Sequence, residues 1–143
     1  MTTASDDQPS DDPTAFIHAA MPLCATLGVT AGVLTAQRVE LSLDWSEELC
    51  TSNHVLHGGA VMALADSAGG AVAFLNLPEG SVGTSTIESK TNLLGAVRDG
   101  TVTATATPLH VGSTTMVIET EVRQGDRLVA KTTQTQTVLR PRP

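Results

Sequence analysis

From His57 to Pro78 the chain reads HGGAVMALADSAGGAVAFLNLP, and Asp66 is the only Asp, Glu, Lys or Arg in it. This segment constrains the fold more than any other. Its apolar spacing predicts a helix from about Gly58 to Asn76, stopped by Pro78 and Gly80. On a helical wheel Val61, Leu64, Ala65, Ala68, Val72 and Leu75 share one face. Asp66 lies across the wheel with Met62, Gly69, Gly70 and Ala73, a second stripe that is small and apolar. Both sides of the helix are therefore expected to be covered, with the small residues letting a backbone or a ligand approach closely. An acid in such a setting is expensive without a partner, which marks Asp66 as a functional residue. The stretch from Val55 to Leu77 is long enough for a membrane span, but four glycines, Asp66, His57 and the lack of flanking Lys or Arg favour a helix buried inside a soluble protein.

The other elements must supply that cover. With 143 residues, 41% of them hydrophobic, the chain suits one domain with a substantial core. Residues 1–13 are acidic and polar, without the basic and apolar regions of a signal peptide. They read as a disordered lead-in to a single domain over 14–143 in a cytoplasmic protein. Pro13 to Ala20 suits a short helix with Asp12 as N-cap, and Met21 to Gly28 a connection. Val33 to Trp45 alternates as one half-buried strand, with Val33, Val39, Leu41, Leu43 and Trp45 on one face. Glu47 to His57 reads as a loop. Four strands follow the helix: Ser81–Leu94, Thr101–Leu109, Ser113–Arg123 and Arg127–Leu139, with turn signals at Asp99-Gly100 and Gln124-Gly125-Asp126. One strand, one long helix and four more strands predict an α+β fold, a curved antiparallel sheet wrapped around a single buried helix.

Composition excludes several functions. Aromatic content of 2% and a net charge of −7 argue against nucleic acid as a partner. No G-x-S-x-G elbow, P-loop or dinucleotide loop occurs, so no Ser-centred triad and no cofactor is expected. Cys24 and Cys50 fit no metal spacing and read as reduced residues rather than a disulfide. His54, His57 and Asp66 are a poor metal set, since no third ligand has convincing spacing.

The layout of the helix start and the acid along it suits a site for acyl transfer. Gly58 and Gly59 open the helix, where unpaired N–H donors and the positive dipole end can stabilise an oxyanion. Asp66, eight residues after Gly58, is placed to act as a base or a nucleophile. Met62, Gly70 and their neighbours would form the pocket floor. His110 and Ser113, in a turn beside Gly112, are candidate substrate contacts, or else an ordinary strand connection.

The phrases LHGGAVMALADSAGGA, TIESKTNLLGAV and RLVAKTTQTQTVL, in this order of elements, resemble the hotdog-fold acyl-CoA thioesterases, closest to the phenylacetate-pathway type. The resemblance spans roughly residues 27–139. It implies hydrolysis of an acyl-CoA to a carboxylic acid and free CoA. In that reading the Gly58 N–H polarises the thioester, Asp66 activates water or attacks, His57 orients the site, and Ser85, with Thr84 beside it, helps place the water. Gly59 would lie against the acyl group. Many members carry Asn or Gln six residues before the histidine. Here that position is Thr51, and Asn53 is the nearest substitute. The resemblance also implies a homodimer or homotetramer, with His57 and Gly58 of one chain facing Asp66 of the other. The competing reading is a non-catalytic acyl-CoA-binding or sensing module on the same fold.

Overall fold

A computed structural model describes residues 11–143. The expected disordered lead-in lies outside the described residues up to position 10; of the rest, Asp12 accepts from the Thr14 N–H at 2.9 Å and caps α1 (Pro13–Ala20). Pro22 starts a second short helix, α2 (Pro22–Leu27), where the sequence suggests only a connection. Gly28 closes it at φ +76°, a left-handed cap that suits a residue without a side chain.

The predicted strand Val33–Trp45 is instead a hairpin, β1 (Thr30–Leu34) and β2 (Val39–Asp44). Thr35 and Arg38 exchange backbone hydrogen bonds across the turn. Val33 and Val39 are an even number of residues apart, so the apolar residues of both strands keep the same parity across Thr35 and Gln37, and the turn between them is masked. Residues 47–57 form two short 3-10 turns with a Cys50–Leu56 bridge. Then come α3 (Gly58–Leu75), β3 (Gly83–Leu93), β4 (Thr101–Val111), β5 (Thr115–Gln124) and β6 (Arg127–Leu139).

All pairings are antiparallel, and the six-stranded sheet has the order β1-β2-β4-β5-β6-β3. The strand that follows the helix therefore crosses to the far edge. The curved sheet packs against α3 through β2, β3, β4, β5 and β6. Val61, Leu64, Ala65, Ala68 and Val72 of the helix are buried against Val39, Leu41, Leu43, Val102, Ala104, Met116 and Ile118 of the strands. At about 25 cal/mol per Å² of apolar surface, burying each of these Leu, Ile or Val side chains contributes roughly 1.5–3 kcal/mol.

The expectation that both sides of α3 are covered does not hold within one chain. Met62 is 42% exposed, Phe74 52% and Leu75 37%, and Asp66 is exposed as well. The sheet wraps only one side of the helix, and β3 reaches the margin of the other. The small residues divide accordingly: Gly69 and Ala73 are buried, whereas Gly70 borders an open cleft.

Candidate active site

The start of α3 explains why two glycines follow His57. The His57 ring caps the helix, its Nδ1 accepting from the Gly59 N–H at 2.7 Å. The His57 carbonyl accepts from the Ala60 and Val61 N–H groups. The Gly58 N–H, first in the helix, has no acceptor among the described residues and remains an open donor at the positive end of the helix dipole. A Cβ on Gly58 would lie 2.6 Å from Leu93 Cδ1, and one on Gly59 would lie 2.9 Å from His57 Nδ1. Gly58 and Thr51 line a cleft of about 400 Å³ with Val61, Leu93, Leu94 and Val129.

Two helical turns on, Asp66 stands at a second, more apolar cleft of about 460 Å³. Phe16, Met21, Leu34, Phe74 and Leu75 wall it, so α1, β1 and the end of α3 all contribute. Thr84, Ser85 and Thr86 of β3 form its polar side. Asp66 is not an unpartnered acid. Its Oδ1 accepts from Thr86 Oγ1 at 2.9 Å and from Gln134 Nε2 at 3.2 Å. Thr86 in turn accepts from Gln136 Nε2, and the Gln136 carbonyl accepts from Thr84 Oγ1 at 3.0 Å. Both donors converge on one carboxylate oxygen. Oδ2 has no protein partner among the described residues and is free to meet a water or a substrate.

The sequence-derived residues thus separate into groups. Asp66, Gly70, Thr84 and Ser85 share the apolar cleft, while Thr51 and Gly58 share the other. His57 and Gly59 form the cap. Eight residues of helix separate Gly58 from Asp66, roughly 12 Å along the axis. Met62 lies on the exposed side of α3. Asn53 sits in a turn at φ 62°, its carbonyl accepting from Arg98 at 3.0 Å. His110, near the end of β4, and Ser113, in the β4–β5 connection, are exposed and line neither cleft. His54 Nδ1 lies 2.7 Å from a Glu47 carboxylate oxygen. His18, which has no evident partner in the sequence, meets the Val29 carbonyl at 2.7 Å. The two cysteines are free. Burial and the nearby Glu47 carboxylate push the Cys50 thiol above its ordinary range, which disfavours the thiolate.

The hydroxyl against Asp66 belongs to Thr86, not to Ser85. Side chains alternate along a strand, so Thr84 and Thr86 share a face and Ser85 takes the other. Gln134 and Gln136 are likewise absent from the residues that the sequence singles out. A signal is present all the same: from Lys131 to Thr137 the strand is polar on both faces, so whichever face turns inward has to bury polar groups.

Comparison with known proteins agrees with this architecture. The Thioesterase superfamily profile matches residues 53–131. A protein of Vibrio cholerae provisionally named an esterase is 33% identical over 118 residues, covering 78% of this chain and 77% of its own length. Among solved structures, a thioesterase family protein from Silicibacter pomeroyi is similar at 30% identity and a TM-score of 0.81, over 90% of this chain and 96% of that one. A thioesterase from Haemophilus influenzae is similar at 27% identity and a TM-score of 0.78, over 87% and 90%. The long helix in its curved antiparallel sheet is the hotdog fold, and the chain is a hydrolase that belongs to the thioesterase superfamily.

Proposed function

We propose that this protein hydrolyses an acyl-CoA thioester to a carboxylic acid and free CoA, with Asp66 as the base. The observation that carries the reading is the state of Asp66: one oxygen held by two donors, the other free, at the mouth of an apolar cleft. Water bound at Oδ2 attacks the thioester carbon and gives its proton to the carboxylate. The carbonyl electrons move to oxygen, and the Gly58 N–H stabilises that oxyanion. Collapse of the tetrahedral intermediate expels the CoA thiolate, which takes the proton back from Asp66. The apolar cleft receives the acyl group, and its size and two phenylalanines suit a medium-length or aryl chain.

The site is read as shared between two copies. The roughly 12 Å between Gly58 and Asp66 is too far for both to act on one carbonyl, whereas antiparallel α3 helices from two chains would bring them together. Features of β3 support this: it is an edge strand, its residues from Ser85 to Lys90 are exposed, and Ile87, Leu93 and Leu94 are 62%, 54% and 59% exposed. An open edge strand with exposed apolar side chains at Ile87 and Leu93 invites pairing.

Thiol release from acetyl-, hexanoyl-, lauroyl-, phenylacetyl- and benzoyl-CoA, measured for wild type and Asp66→Asn in parallel, tests the chemistry. Hydrolysis by wild type that is lost in a folded variant is expected. Tight binding with no turnover across the panel would favour a binding module. Sedimentation of active enzyme tests the shared site, and a fully active monomer would refute it.

A further inference from the structure

Gln134 is wholly buried, yet among the described residues only one end of its amide has a partner. Nε2 donates to Asp66 Oδ1 at 3.2 Å, and Oε1 has none there. A buried carbonyl without a donor is unfavourable, and structural stability alone gives no reason to keep it. The amide cannot turn over to relieve this, because Oε1 would then face the carboxylate. It also fits only because position 69 is glycine: a Cβ there would lie 2.2 Å from Oε1 and 2.4 Å from Cδ. The neighbouring inward residue of β6, Gln136, is 1% exposed and aims its Nε2 at Thr86 Oγ1. That bond occupies the oxygen of Thr86 and turns its O–H toward Asp66 Oδ1. The two glutamines therefore deliver two donors to the same oxygen, one directly and one through Thr86.

From this we infer that Gln134 and Gln136 are positioning residues that hold Asp66 by Oδ1 and so present Oδ2 to the water. The inference rests on the reading of Asp66 as the base and extends it to two residues of the core. Gln134 lies behind the carboxylate and lines neither cleft, so it acts on the geometry of the reaction and not on substrate binding.

Gln134→Met keeps the length of the side chain and removes the donor. With the fastest substrate of the acyl-CoA panel, kcat is expected to fall about tenfold with KM within about twofold of wild type, the pattern of a lost transition-state contribution. Gln136→Met, acting through Thr86, should lower kcat about threefold, and Asp66→Asn/Gln134→Met should be no slower than Asp66→Asn alone, because the groups act as one unit. A role in stability alone would lower the melting temperature and leave kcat intact. Wild-type kcat in folded Gln134→Met, or a loss confined to KM, overturns the clamp while an inactive Asp66→Asn leaves the base in place. Wild-type turnover by Asp66→Asn overturns both. Should Gln134→Met fail to fold, Gln136→Met decides: an unchanged kcat rejects the clamp.

Discussion

The two ends of the candidate site are built by different means. At the start of α3 the chemistry belongs to the backbone: a capped helix end, an unengaged Gly58 N–H, and glycines where a side chain would meet Leu93 or His57. Everything needed lies within three consecutive residues, plus one contact from β3. At Asp66 the chemistry belongs to side chains, and the partners come from positions 20 and 68 residues away in sequence. The first arrangement is local in sequence. The second depends on the register of β3 against β6, where Thr86 pairs with Gln136, and on a single missing Cβ at Gly69. An open N–H at a helix start can be specified by a short motif, whereas an oriented carboxylate needs a folded core.

That contrast can be broken at several points. Asp66→Asn should cost the most activity, on the order of a hundredfold or more in kcat, with little change in melting temperature. Measurable thiol release at the wild-type rate would remove the side-chain half of the comparison. Gly69→Ala comes next. A buried amide is in the way of its Cβ, so about 1–3 kcal/mol of stability should be lost in urea unfolding, together with turnover. An unchanged midpoint would mean that Gln134 has room to move. Thr86→Val should lower kcat about tenfold while Thr86→Ser restores most of it, since only the hydroxyl faces the carboxylate. At the backbone end, His57→Ala removes a cap and should destabilise by about 1 kcal/mol in thermal melts. A loss larger than that of Gly69→Ala would reverse the proposed order of local and non-local dependence.

Much of the molecule is legible in the order of its residues alone. The apolar run with its single acid locates α3 to within a residue at its C-terminal end, and the turn signals place all four strands after it. The sequence misleads where a local signal is silent or doubled. Val33 and Val39 hide a turn because they share parity, and Pro22 before a six-residue helix looks like any loop proline. The proposed site can be read from chain position at His57, Gly58 and Asp66. It is not legible at Thr86, Gln134 and Gln136, because a hydroxyl or amide reveals its partner only when strand register is known. Nor can the pattern of the helix show that one of its sides stays uncovered in a single chain.

The sequence by itself therefore determined the helix, its glycine start, the four strands after it and the single acid of the apolar run, since each follows from the preferences of neighbouring residues. Only the tertiary structure decided that Asp66 has two donors on one oxygen, that Gly69 and Gly70 do different work, and that Gly58 and Asp66 open onto separate clefts. Those outcomes depend on how β3 crosses to the far edge of the sheet and pairs with β6, and strands distant in sequence meet in a register that the packing of the whole core selects.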